Sequence, residues 1–319
     1  MSGPFLRGLQ KAGPLLGLFL VLLIFGVVVG PQFIRQSNLE LIGRQTSIVC
    51  IAGLGMTMVI VSAGIDLSVG STVALTTVVI ALLLRSQASP LIAALWGVGT
   101  AALCGILTGL LVTKLRVVPF IVTLGMMLLV RGTAKGLADE RRIEAPATWL
   151  NGLLRTAGPG HGLALPPGLW VMVALAAAAS VVMRYTRFGR HIFAIGSNER
   201  TARLCGVPVD ASKVAVYGMS SALAGVAGVM QFAKLSVGDP TVAVGLELDV
   251  IAAVIIGGGS LTGGRGTILG TMIGAAIMAV IQVGCSQRGL PNWVQQIVTG
   301  TIIVLAVALD RFREPASST

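Results

Sequence analysis

Apolar residues run in long unbroken stretches along this chain, and its polar residues gather in short segments between them. A bilayer core needs about 20 helical residues at 1.5 Å rise each. The pattern predicts spans at about 14–31, 46–62, 66–84, 90–113, 117–135, 167–184, 213–233, 248–261, 267–286 and 293–310. The runs are continuous and do not alternate every second residue, which excludes a membrane β-barrel. The expected fold class is therefore all-α: a polytopic membrane protein of about ten transmembrane helices, with 1–319 forming one domain. Ten spans place both termini on one side. The eighth is too short to cross as an ordinary helix, so it reads as a half-helix or as one part of a broken pair with the next segment.

One stretch interrupts the pattern from within. Gly64-Ile-Asp-Leu-Ser-Val-Gly-Ser71 lies in the apolar region Ile48–Leu84. A carboxylate in hydrocarbon costs roughly 2.5–3.5 kcal/mol on insertion scales. Irregular backbone at that depth persists only where protein packs it or a wet cavity meets it. Two readings of Asp66 stand. It caps a helix running from Ser68 to Leu84, accepting backbone N–H groups; or it lines or braces a permeation path. Ser68 and Ser71 fit either, and Gly64 and Gly70 let the backbone break.

A weak internal repeat supports a second break. A shift of 194 residues brings Gly64 onto Gly258, Leu67 onto Leu261, Gly70 onto Gly264 and Ser68 onto Thr262. Paired glycine-interrupted segments in the two halves of a transporter point to its path. The candidate path residues are thus Gly64, Asp66, Ser68, Gly70 and Ser71 at 64–71, with Gly258, Ser260 and Thr262 at 257–264.

Composition agrees with a membrane protein: 55% of residues are hydrophobic, only 11% are charged, and soluble domains carry about 25% charged residues. The net charge of +11 reads as topology, not nucleic-acid binding. Lys114 and Arg116, then Arg184 to Lys213, Arg265, and Arg311 with Arg313 fall on one side, as the positive-inside rule expects of cytoplasmic loops. Both termini are then cytoplasmic. The run Leu15–Gly30 after Arg7 and Lys11 is long for a signal sequence, and no A-x-A-like site comes after it, so it reads as a retained span. Cys50, Cys104, Cys205 and Cys285 are scattered, which supports neither a metal site nor a disulfide framework; no cofactor is expected.

Two loops stand out. The external loop 136–166, rich in proline and glycine, carries turn chemistry with little regular structure. The internal loop 186–210 holds a helix signature: Ser197 or Asn198 as cap, Glu199 in the first turn, and Gly206 then Pro208 as stop. Such a helix would lie along the membrane and present Ala202 and Leu204 to a partner protein. Glu247 and Asp249 start the eighth span, where a helix N-terminus welcomes acids; they equally suit receipt of a soluble donor protein. Gly257–Thr267 lacks the G-x-x-x-x-G-K-[ST] of a phosphate loop, since Gly264 stands after Gly263 where lysine should be. No hydrolytic or redox constellation is visible, and no chain of membrane carboxylates, so energy for transport must come from elsewhere.

Four stretches then agree, in order, with a known family. Gly55-Met-Thr-Met-Val-Ile-Val-Ser-Ala-Gly-Ile-Asp-Leu-Ser-Val-Gly-Ser71, Thr186–Pro208, Gly245–Gly266 and Gly300–Asp310 resemble bacterial ABC-importer permeases of the ribose/xylose/arabinose type, grouped with the branched-chain amino-acid permeases. The resemblance covers about 40–310. It implies an inner-membrane permease that works with a second permease copy, as a homo- or heterodimer. It also implies a periplasmic solute-binding protein that delivers a monosaccharide and cytoplasmic ABC ATPase subunits that power the cycle. Gly196, Asn198, Glu199, Ala202 and Gly206 look like the family's coupling segment, and Glu247 and Asp249 would meet the binding protein. The chain departs from the family's usual residues at Ala63, where glycine is common, at Leu246 and at Gly284-Cys285. Against this stands an ion-coupled carrier of a small polar solute using Asp66; a membrane-embedded enzyme would need a catalytic group the chain does not show.

Overall fold

The computed structural model describes residues 4–155 and 165–313. Twelve α-helices carry this part of the chain: α1 Pro4–Val29, α2 Gln36–Val61, α3 Val69–Arg85, α4 Pro90–Leu115, α5 Pro119–Leu137, α6 Pro167–Tyr185, α7 Arg187–Ser197, α8 Glu199–Leu204, α9 Val209–Leu235, α10 Leu246–Ile256, α11 Ile268–Gln287 and α12 Asn292–Arg313. Their starts obey local chemistry. Proline, whose missing N–H costs nothing in a first turn, opens α4, α5 and α6. Ser89, Thr186, Asn198 and Thr267 accept backbone N–H bonds as caps of α4, α7, α8 and α11.

Six of these helices, α2, α4, α5, α6, α9 and α11, are long and apolar enough to cross a membrane; shorter apolar helices cover Gly13–Val29, Val69–Arg85 and Trp293–Leu305. Burial sorts them. In the most apolar window, 83% of α2 and 72% of α9 and α11 are buried, against 28% of α4 and α6 and 22% of α5. The first three form the centre, and the others turn large apolar side chains such as Leu103, Leu128 and Val181 outward, towards lipid.

Small residues make the central contacts close, as expected where helices pack in lipid without a hydrophobic drive between them. A side chain at Gly55 of α2 would meet the backbone of Ser220 on α9, and one at Gly225 would meet Ala101 of α4. Gly270 and Gly274 of α11 lie against the backbone of Gly257 and of Ala253 on α10, which accounts for the glycine-alanine run there. Thr57 and Thr271 share a hydrogen bond of 2.6 Å between α2 and α11.

The connections from α5 to α6 and from α9 to α10 are more ordered than their turn residues suggest. Within 136–155, Ile143–Glu144 (β1) pairs antiparallel with Val237–Gly238 (β2), and Trp149–Leu154 form a 3-10 helix. Leu150 and Leu154 are buried, and that burial is what organises a segment read from its prolines and glycines as irregular. Gly158, Pro159 and Gly160 lie outside the described residues. Arg142 Nε donates to Asp239 Oδ2 at 2.8 Å, tying this loop to the α9–α10 link. Burial alone would raise the Asp239 carboxyl; hydrogen bonds from Thr241, then the charge and hydrogen bond of Arg142, bring it below the usual carboxylate value. From Asp239 the link runs inward along α3, and Arg131 of α5 donates to the carbonyl oxygens of Pro240 and Val242.

Candidate functional site

The two glycine-containing breaks are real and they touch. After α2 the chain leaves the helix at Ser62, with Ala63 at φ 60°, and re-enters it at Val69. After α10 it leaves at Gly257 and re-enters at Ile268, with Gly258, Gly263 and Gly264 at φ 93°, 89° and 70°. Those angles favour glycine, which explains the residue type at 258 and 264. The amide of Gly264 donates to the carbonyl oxygen of Val61 at 2.9 Å, so the second break caps the end of α2.

Asp66 is fully buried in the first break. Its Oδ1 accepts from the backbone N–H of Ser68 at 2.9 Å and from Ser68 Oγ at 2.6 Å. Ser68 itself occupies the cap position of α3, one residue later than a helix from Ser68 would put it. The carboxylate thus braces the turn just ahead of the helix. Ser71 is buried too, and Gly64 lies against Tyr217 Oη of α9, a neighbour that the sequence pattern did not reveal. Asp66 Oδ2, Ser71 Oγ, Tyr217 Oη and Ser220 Oγ are buried and make no hydrogen bond among the described residues. Ser260 and Thr262 share a 2.9 Å hydrogen bond inside the second break. Gly70 lies beyond the first break, packed against Ala243 and Glu247.

The internal segment 186–210 folds as two short helices, not one. Asn198 ends α7 and caps α8, its Oδ1 accepting from Thr201 N at 2.9 Å. The intended partner face is divided: Ala202 is buried against Ile195 and Val209, while Leu204 is 82% exposed. The separation arises from a six-residue helix, in which positions two apart point to different sides. Gly206 ends the segment at φ 81°. Cys205 is exposed here, whereas Cys50 and Cys285 are buried.

Gly196 joins this segment to both breaks. A Cβ there would overlap the Val61 carbonyl oxygen and approach Gly264 N to 2.6 Å, and one on Gly263 would approach the Gly196 carbonyl oxygen to 2.7 Å. Three backbones therefore interlock at one point: the end of α2, the 257–267 break and α7. Beside it, Lys213 Nζ of α9 donates to Glu199 Oε2 at 2.6 Å, and Arg203 pairs with Asp210 at 2.7 Å and with Glu199 at 3.5 Å. These charges line a cleft of about 570 Å³ that also takes in Arg116 and Val117 from the α4–α5 turn.

Glu247 and Asp249 are half-buried in the first turn of α10, the place a helix N-terminus offers acids. Glu247 Oε1 accepts from Gly245 N at 3.2 Å, and Asp249 accepts from Gln282 of α11. Both line a cleft of about 750 Å³ at the far end of α9 from the 186–210 segment. Gln45, Lys234 and Gln282 share that cleft, and sequence reasoning passed over them. The signal was present: an amide within an apolar span is a functional candidate by default.

Known proteins resemble this chain over most of its length. A family model described as branched-chain amino acid transport system / permease component matches residues 38–307. The ribose import permease protein RbsC of Escherichia coli (strain K12) is 40% identical over 295 residues, covering 92% of this chain and 92% of that protein. The protein of the same name from Bacillus subtilis (strain 168) is 37% identical over 303 residues, covering 95% and 93%. The fructose import permease protein FrcC of Rhizobium meliloti is 35% identical over 315 residues, covering 97% and 87%. No solved structure matches the chain. Six membrane-length helices and a match of this extent make it a multi-pass protein of the inner membrane. The chain belongs to the family of branched-chain amino acid transport system permease components.

Proposed function

We propose that this chain is the membrane-spanning subunit of an ATP-driven importer for a monosaccharide, ribose-, xylose- or rhamnose-like, delivered by a periplasmic binding protein. The observation that carries the reading is likeness over nearly the whole length to permeases whose names specify ribose and fructose import. In this reading residues 1–319 form one permease domain of about ten spans with both termini cytoplasmic, and a second permease copy completes the path. The ATPase is a separate subunit. It docks on 186–210, where Asn198, Glu199 and Ala202 build α8, Gly206 ends it and Gly196 seats α7. The interlock of Gly196 with Val61 and Gly264 supports this, because a push on α7 is felt directly by both breaks.

The ion-coupled alternative is not the reading favoured, because the relatives are permeases named for sugar import and Asp66 Oδ1 is committed to Ser68. The Asp66 carboxylate lines none of the described clefts. The test is reconstitution in proteoliposomes with the cognate ATPase and binding protein. Sugar uptake should require all three proteins and ATP. Uptake by this chain alone, driven by an ion gradient, would overturn the proposal.

A further inference from the structure

A directed chain of hydrogen bonds crosses the cleft at the end of the protein opposite the coupling segment. Lys234 Nζ of α9 donates to Gln45 Oε1 of α2 at 2.8 Å, and Gln45 Nε2 donates to Gln282 Oε1 of α11 at 2.8 Å. Gln282 Nε2 in turn donates to Asp249 Oδ2 of α10. Four helices are thereby linked by polar groups running from a cation to an anion. Gln296 and Thr299 of α12 face the same cleft, and its volume of about 750 Å³ lies within the range of small-molecule sites, about 300–1,000 Å³.

This lining is unsuited to lipid, which offers amides and charges no partner. It is suited to a solute that carries donors and acceptors side by side. Each primary amide in the chain uses one N–H and its carbonyl oxygen, and a primary amide carries a second N–H; an ammonium carries three donors and a carboxylate two acceptor oxygens. A sugar hydroxyl both donates and accepts, so neighbouring hydroxyls can bridge an amide N–H and a carboxylate oxygen. Binding need only be transient, since a conducting site must let its occupant leave.

Resting on the proposed importer function, we infer that this cleft is the chain's own polyol-recognition site, where solute released by the binding protein first meets the permease. Asp249 accepts from solute hydroxyls, Gln282 and Gln45 donate to them, and Lys234 orients the relay. Gln296 lines the entrance from α12.

The experiment measures ribose carried per ATP hydrolysed in proteoliposomes holding the full complex, unaltered or with Asp249→Asn, Gln282→Leu or Gln296→Ala. The ratio should fall about ten-fold for the first two, the effect of losing one or two hydrogen bonds to a polar solute. Gln296 is exposed and has little packing to lose, so Gln296→Ala keeps the test open where Gln282→Leu fails to assemble; its ratio should fall at least threefold. Ratios within twofold of the unaltered complex in every assembled variant would overturn the site while leaving the importer reading intact. So would a Gln296→Ala variant that lost the second permease copy, since the cleft would then be a subunit contact. An unaltered complex that carries none of ribose, xylose, rhamnose, arabinose or fructose would refute both readings.

Discussion

Gly196 is where a single methyl group should separate binding of the ATPase from its consequences. In Gly196→Ala the new Cβ overlaps the Val61 carbonyl oxygen and lies 2.8 Å from the Val61 carbonyl carbon and 2.6 Å from Gly264 N. All three are backbone atoms, so no side chain can rotate out of the way. The variant must displace α7 from the end of α2, and with it the 2.9 Å hydrogen bond from Gly264 N to Val61 O. Overpacking costs about 1–3 kcal/mol, and two backbone groups left without partners about 1–3 kcal/mol more. A loss of about 2–6 kcal/mol is expected, a fall of roughly 3–9 °C in the melting temperature of the purified permease at this chain length. Stimulation of the ATPase by solute-loaded binding protein should fall with it. Gly132→Ala is the control, because it lies inside α5 with nothing within 4 Å of its added Cβ; it should gain roughly 0.5–1 kcal/mol from better helix propensity. If Gly196→Ala melts within 1 °C of the unaltered chain and keeps full stimulation, the interlock is not what couples α7 to the breaks.

Other substitutions probe the same machinery. Ala63 sits at φ 60°, a conformation costing a side-chain-bearing residue roughly 1–2 kcal/mol, so Ala63→Gly should stabilise by about 0.5–1 kcal/mol after the entropy of the unfolded glycine is set against it; a lower melting temperature would contradict the strain. Asp66→Ala strands the buried Ser68 N–H and hydroxyl and should cost about 2–4 kcal/mol, whereas Asp66→Asn keeps an acceptor oxygen and should melt and transport nearly as the unaltered chain does. A folded Asp66→Asn protein without transport would return Asp66 to the path. Glu199→Arg places a third cation between Lys213 and Arg203, and ATPase stimulation should be lost while the permease still inserts and melts cooperatively; full stimulation would remove Glu199 from the docking segment. Asp239, held below the usual carboxylate value, contributes stability that is complete above about pH 4 and is lost as pH falls through its lowered folded value. Asp239→Asn should therefore melt lower at neutral pH and show a shallower acid limb in a pH series of unfolding curves.

Much of the membrane architecture was legible because the bilayer leaves so few choices. Continuous apolar runs must become helices when every backbone group needs an internal partner, and the cap at Asn198 marked where α8 starts. The helix breaks at 64–71 and 257–264 were readable from glycine and polar residues out of place in hydrocarbon. Less visible were contacts between segments far apart in sequence. Leu204 looked like a partner of Ala202, but residues two apart on a helix point to different sides, and only Ala202 meets Ile195 and Val209. Glu247 and Asp249 were readable as first-turn acids of a helix, but nothing nearby in sequence announces Gln282, 33 residues on, as the donor to Asp249.

Gly64–Ser71 shows the division between the two sources. Glycine, serine and aspartate in an apolar run already dictated that a helix stops there and restarts, since a carboxylate and open amides in hydrocarbon must find partners among themselves. What that break does was decided only by tertiary structure. Its preceding carbonyl at Val61 is closed by an amide 203 residues further along the chain and seated on a glycine of α7, so the break belongs to a junction of three backbones. No local pattern encodes that meeting, because the free energy that brings the three backbones together comes from packing α2, α9 and α11 around it.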